Sequence, residues 1–288
     1  MTSQRPHVTA FLDPASHTIS YVVRDPDSRA CAVIDPVLDF DYAAGRIATV
    51  QAERIAAHIE RSALELAWIV ETHVHADHLS AAPWLQQRLG GRIGIGSGIV
   101  TVQDTFGKVF NEGTEFQRDG SQFDALFEDG DRYQIGALSV SVMHTPGHTP
   151  ACTAHVAGDA AFTGDTLFMP DGGTARADFP GGDAGQLYDS IQRVLALPEG
   201  TRLFMCHDYG PNGREIRWET TVGEERRHNI HVGNGATREA FVRLRTERDA
   251  TLKMPGLIIP SLQVNMRAGE LPRDERGSPS LKVPLNGL

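Results

Sequence analysis

The chain has 288 residues but only three cysteines, Cys31, Cys152 and Cys206, none in a Cys-x-x-Cys spacing. That excludes a disulfide-framed small domain and argues against a thiolate metal cage. No stretch approaches the ~20 apolar residues of a membrane helix, and MTSQRPHVTAFLD at the N-terminus lacks the charged-then-apolar pattern of an export signal. A cytoplasmic protein is the expectation. Cations are also short: 27 Lys and Arg against 37 Asp and Glu give a net charge of -10. Without a basic cluster, neither nucleic acid nor an anionic membrane surface is expected as a partner. An anionic substrate would need its own local group of fixed cations.

What is present is an ordinary core. Apolar residues make up 40% of the chain, enough for one large domain or two unequal ones. Short strands are expected over 7–12, 17–23 and 30–34, separated by DPASH and RDPDS, which is turn chemistry. Ile47, Val50, Ile55, Ile59 and Leu64 predict a helix over 43–64, followed by a strand over 66–70. A helix over 81–89, a strand over 92–95 and a helix over 100–110 come next, then a loop with one strand over 111–130. Hairpins are expected over 133–143 and, around Gly158-Asp159, over 152–163. The Gly-, Pro- and Asp-rich segment 169–182 is too long for a plain connector and reads as part of a site. A helix over 184–197 follows, capped by Asp183 and stopped by Pro198, then a strand over 202–206 and helices over 220–229 and 237–252. From 254 onward the chain reads as irregular and proline-rich, apolar enough to cover a partner subunit.

The chemistry concentrates in ETHVHADHLS, residues 71–80, where His73, His75, Asp77 and His78 fall within six positions at a strand end. Crowded imidazoles and carboxylates repel and desolvate poorly unless a cation joins them. Imidazole with carboxylate suits zinc, iron or manganese rather than calcium. His148 in HTPGHTP, Asp165 in TGD and His207 in CHDY likewise fall just past strand ends. Gly147 and Gly164 allow sharp turns beside these ligands. His144 reads as supporting or surface, His155 as core or surface, and His228 and His231 as surface. Strand alternation turns Cys206 into the core if His207 faces the site.

HVHADH, TPGH, TGD and a strand-end histidine, in that order, resemble the metallo-β-lactamase superfamily over roughly residues 7–230. The resemblance implies an α+β fold, a four-layer αββα sandwich, as a catalytic domain over 1–232. A C-terminal helix and irregular tail over 233–288 would pack on that domain. It places His73, His75 and His148 around one metal and Asp77, His78 and His207 around a second, with Asp165 bridging. RADF at 176–179, HDY at 207–209, GEERRHN at 223–229 and VNMRAG at 264–269 are similar to the persulfide dioxygenases, although GGTARADF departs from that family's commoner loop, Gly-Cys-Gly-Arg-Thr-Asp-Phe. That branch implies one Fe(II) per chain on His73, His148 and Asp165, with open positions for the sulfur of glutathione persulfide and for O2. His75, Asp77, His78 and His207 would then orient ligands and water. Sulfite and glutathione are the implied products, and a homodimer is compatible with the apolar tail. Arg176, with Tyr209 as hydrogen-bond donor and Arg217 or Arg267 as further cations, would hold the glutathione. The alternative role for Arg176 is a loop ion pair with Asp178. The rival within the superfamily is hydroxyacylglutathione hydrolase (glyoxalase II), with two Zn or Fe ions activating a bridging water. Its usual His-His-His-Trp-Asp-His differs from HVHADH, and it lacks VNMRAG. A β-lactamase is disfavoured because the zinc-site sequences of those enzymes differ. A metal-sequestering module is disfavoured by the open coordination.

Overall fold

Along Ile19–Arg24, Ile19, Tyr21 and Val23 point one way and Val22 the other, and all four are buried. A strand covered on both faces needs a layer on each side, and the sequence supplies them. The computed structural model describes residues 5–287. Its first half runs β1 (His7–Leu12), β2 (Ile19–Arg24), β3 (Ala30–Ile34), β4 (Val37–Asp41), β5 (Arg46–Ala48), α1 (Val50–Arg61), β6 (Glu65–Val70), β7 (Leu79–Ser80), α2 (Ala82–Leu89), β8 (Arg92–Gly96), α3 (Ile99–Val109) and β9 (Ala125–Phe127). The second half runs β10 (Arg132–Ile135), β11 (Leu138–His144), β12 (Thr153–Ala157), β13 (Ala160–Phe162), α4 (Ala184–Leu195), β14 (Arg202–Phe204), β15 (Glu219–Thr221), α5 (Val222–His228), α6 (Arg238–Asp249) and α7 (Ile258–Asn265).

Two six-stranded sheets result, ordered β1-β2-β3-β6-β8-β9 and β10-β11-β12-β13-β14-β15. Ile19, Tyr21, Val23 and Ile34 of the first meet Ile135, Val140, Val142, Phe162 and Phe204 of the second. The Tyr21 hydroxyl reaches across to donate to the Met205 carbonyl at 2.5 Å. Ile55, Ile59, Leu85 and Val102 of α1, α2 and α3 cover the outer face of the first sheet. Leu187, Ile191 and Val194 of α4, with Phe241 of α6, cover the second. The layers are therefore helix, sheet, sheet, helix, the α+β sandwich expected from the motifs. Asp183 caps α4 by accepting from the Gln186 amide at 2.7 Å.

Two expectations are corrected. The helix expected over 43–64 begins only at Val50; the segment before it is the β4–β5 hairpin, and Ile47 lies on an exposed strand. Ile47 matched the helical phase, but β4 gains a partner in β7, and pairing overrides local periodicity. The tail after 254 contains α7, whose Ile258, Leu262 and Val264 are buried within the chain. Pro260 disguised it; in a first helical turn its missing N–H costs little. Those apolar side chains are spent internally and are not available to cover a partner subunit.

Candidate metal centre

Strand ends deliver the polar groups. β6 runs out at Val70 into residues 71–78, the β11–β12 connection carries His148, the 3₁₀ turn Gly164–Thr166 after β13 carries Asp165, and the segment after β14 carries His207. Gly147 and Gly164 have φ of 132° and 50°; a Cβ on Gly164 would lie 2.5 Å from the Thr72 hydroxyl. Both glycines are required for the backbone to pass so close to the ligands.

The ligand atoms of His73, His148 and Asp165 lie within 4.8 Å of one another, all three residues buried. His148 Nε2 is 3.6 Å and His73 Nε2 3.8 Å from Asp165 Oδ2. His75, Asp77 and His78 form a second such group, and Asp165, Cys206 and His207 a third. His207 Nε2 stands 3.4 Å from both Asp77 Oδ2 and Asp165 Oδ1. The trio assigned by resemblance to a second metal, Asp77, His78 and His207, is thus divided between two groups.

Four of the imidazoles have one nitrogen held by the protein. His148 Nδ1 meets the Arg176 carbonyl at 2.8 Å, His73 Nδ1 the Thr72 hydroxyl at 3.1 Å, and His78 Nδ1 the Leu79 carbonyl at 3.0 Å. His75 Nε2 lies 2.9 Å from Asp35 and 3.3 Å from Glu71. The opposite atoms, His73 Nε2, His75 Nδ1 and His78 Nε2, are buried without a hydrogen-bond partner, as is Asp165 Oδ1. Four orphaned polar atoms in one place would cost several kcal/mol unless a cation satisfied them, and their nitrogen and oxygen chemistry fits zinc, iron or manganese.

Electrostatics agree with a site built for positive charge. Burial and the neighbouring His75 and His148 hold His73 well below ordinary histidine, so it is neutral. Burial and His75 push His78 down to about 4. Asp77 falls to about 2: burial opposes this, but His207 and His78 outweigh it. Burial likewise opposes charge on His75, yet Asp35 and Glu71 hold it well above the usual range.

Several side chains stand where the sequence did not place them. Asp35 is buried with φ of 50° and accepts from the Thr72 amide at 2.7 Å, the Thr72 hydroxyl at 2.8 Å and the Cys206 thiol at 3.6 Å, besides His75. Cys206 is buried as expected, but its Sγ lies among the ligand atoms of Asp165 and His207, at the floor of the centre. Burial and Asp35 keep it a thiol. Only the Asp-Pro pair at a strand end, Asp35-Pro36, hinted at Asp35.

Above the ligands opens a cavity of about 370 Å³ lined by Phe168, Phe179, Arg176, Tyr209, Arg245, Arg248 and Lys253, among others. Arg176 is engaged on both edges: Nε and Nη2 reach Asp178 at 2.5 and 2.7 Å, and Nη1 donates to the Lys253 carbonyl at 2.7 Å. Its carbonyl, meanwhile, orients His148. Arg245 is buried, pairs with Asp249 and donates to the Thr174 carbonyl at 3.1 Å. Arg248 and Lys253 carry charged groups that pair with no carboxylate among the described residues. Tyr209, 57% exposed, stacks on His207 at 5.9 Å and 9°. Arg267 lies elsewhere, paired with Glu112 at 2.9 Å, and Arg217 is exposed outside this cavity. His144 is bound to the Phe127 carbonyl and His155 lies in the core between Tyr133 and Thr153. His228 is exposed as expected.

GEERRHN holds the wall of the cavity. Asn229 donates to the Gly173 carbonyl at 3.0 Å and to Glu225 at 2.6 Å. His231, expected on the surface, is buried, and its Nδ1 accepts from the Thr174 amide at 3.0 Å. Burial, aided by Asp171 and Glu224, pushes Glu225 up to about 8 from 4.5. A raised carboxyl takes up a proton on folding, so stability is present below about pH 4.5 and is lost as pH rises through about 8. Glu225→Gln should remove this slope and be roughly 3–5 kcal/mol more stable at pH 8, relative to its own value at pH 5, than the parent; urea unfolding at the two pH values measures it.

A buried imidazole and carboxylate cluster at the strand ends of an αββα sandwich defines a metal-binding protein of the β-lactamase type of fold. Residues 14–207 match the metallo-beta-lactamase superfamily model, and the chain belongs to that superfamily. A probable metallo-hydrolase of Burkholderia pseudomallei is 56% identical, over 98% of this chain and 99% of its own length. Glyoxylase B2 of Dictyostelium discoideum is 45% identical over 99% of each. The mitochondrial persulfide dioxygenase ETHE1 of Bos taurus is 32% identical over 90% of this chain and 87% of its own. The crystal structure of ETHE1 from Myxococcus xanthus superposes with a TM-score of 0.74 at 31% identity, covering 92% of this chain and all of that one.

Proposed function

We propose that the chain is a glutathione persulfide dioxygenase using one Fe(II) on His73, His148 and Asp165. The observation that carries this reading is the convergence of those two imidazoles and one carboxylate at a buried point beneath a cavity, the donor set of non-haem iron(II) oxygenases. The ETHE1 relatives support it. When bound, Fe(II) supplies one-electron chemistry and open coordination positions for sulfur and O2. The overall conversion, persulfide plus O2 plus water to thiol plus sulfite and two protons, balances without a further oxidant.

The protein's own groups bind, orient and exclude. Phe168 and Phe179 give the cavity above the ligands apolar walls. Asp77, fixed by the Thr18 hydroxyl at 3.0 Å, and His207 face each other across 3.4 Å, placed to hold a water or a proton at His207 Nε2. Arg248 and Lys253, cavity-lining cations without a carboxylate partner among the described residues, would hold the glutathione carboxylates, and Arg176 acts by holding His148 and the cavity wall. Replacing both Arg248 and Lys253 by Ala should raise KM for the glutathione substrate about 10- to 100-fold and leave kcat within about threefold; steady-state kinetics at saturating O2 decides it.

A second reading, a two-metal thioester hydrolase, is favoured by the unpartnered His75 Nδ1 and His78 Nε2 and by the glyoxylase relative. Metal analysis of protein purified without added metal separates the two. Near one iron per chain supports the dioxygenase, and near two metals per chain overturns it in favour of the hydrolase.

A further inference from the structure

VNMRAG, residues 264–269, lies at the far end of the chain from HVHADH, yet the two meet. Asn265, 4% exposed and the last residue of α7, donates from Nδ2 to the carbonyls of His75 at 2.9 Å and His78 at 2.8 Å. Its Oδ1 accepts from the Ser80 amide at 2.8 Å. Both donors and one acceptor site of the side-chain amide are thus spent on the backbone of a single loop, at both ends of the His75–His78 turn. Its neighbours anchor this end of α7: Val264, fully buried, packs with Leu38, Leu79 and Ala81, and the Met266 carbonyl accepts from Gln103 of α3 at 2.9 Å.

The loop needs such a clasp. Between Glu71 and Leu79 it has no strand or helix of its own, and its carbonyls would otherwise be buried without donors. A metal ligand is only as well placed as the backbone beneath it. We infer that Asn265 is a positioning residue for the metal centre: it locks the 75–80 backbone, so that the C-terminal helix sets the affinity and geometry of a site it does not touch. The inference rests on the metal-centre reading above, not on the identity of the reaction.

The test compares two buried polar residues of α7. Gln263 bonds to the Ile259 carbonyl and to the backbone of Lys282 and makes none of these loop contacts. Asn265→Ala and Gln263→Ala would both weaken the helix. Only Asn265→Ala should weaken Co(II) binding, by about 10- to 100-fold in a competition titration, and change the intensity of the Co(II) absorption bands. Asn265→Asp keeps the shape but sets an acceptor against two carbonyls, and should reproduce the loss. Equal Co(II) affinity in Asn265→Ala, Asn265→Asp and Gln263→Ala would overturn the inference. A parent protein that binds no Co(II) would instead sink the metal-centre reading itself. The unaltered protein provides a check that needs no variant: adding metal should slow amide hydrogen exchange in α7 as well as in residues 71–80. Exchange slowed in the loop alone would contradict the clasp.

Discussion

Asp165→Ala should leave purified protein with under about a tenth of a metal per chain and lower the rate of O2 uptake at least about 10³-fold, which is roughly 4 kcal/mol or more of barrier. Asp165 is the only carboxylate in the group with His73 and His148, and it also faces His207 at 3.4 Å. Without it, two imidazoles are left as the anchoring ligands, and a divalent cation loses the one carboxylate of that group. The same change should not unfold the protein. Asp165 is an 8% exposed turn residue whose Oδ1 has no hydrogen-bond partner to lose, and unfilled sites cost stability that the substitution partly recovers. Metal content by mass spectrometry and thermal unfolding, read together, check both halves.

Asp35→Ala should do the reverse, costing stability first. The carboxylate meets His75, the Thr72 amide and the Thr72 hydroxyl within 3 Å, in a spot 2% exposed. Removing it takes the nearest carboxylate from the buried His75 and leaves the buried Thr72 amide unpaired, an effect on the order of 3–5 kcal/mol. The new residue must also accept φ of 50°, which an alanine does at some cost. Because Thr72 in turn bonds to His73 Nδ1, metal affinity should fall about 10- to 100-fold in whatever fraction folds. Chemical unfolding of the metal-free variant isolates the stability loss. Asp35→Asn, which keeps the backbone conformation and one acceptor, should recover part of it.

What the sequence disclosed and what it withheld divide along physical lines. Candidate ligands at strand ends were legible because each is a polar residue interrupting an apolar run and because their order matches a known superfamily; the structure brings His73, His148 and Asp165 into one group and sets His207 in another, with Asp165 and Cys206. The groups that hold them were not, since Asp35, Asn265 and the Arg176 carbonyl act through contacts between residues 28 to 190 positions apart in sequence, which no local pattern encodes. Arg176 was found for its charge, although the contact to the ligand His148 comes from its backbone. His231 read as surface because it follows a helix, and only the fold of 169–182 buries it. The Ile47 error has the same origin: periodicity reports what a segment could do alone, and the β4–β7 pairing is not in that segment.

The most direct measurement of the central claim is an oxygen electrode trace on iron-reconstituted protein given glutathione persulfide, with sulfite quantified in the same vessel. One O2 consumed per sulfite formed, abolished by Asp165→Ala, is the predicted result. No oxygen uptake by protein that holds its iron and rapidly cleaves S-lactoylglutathione would contradict it.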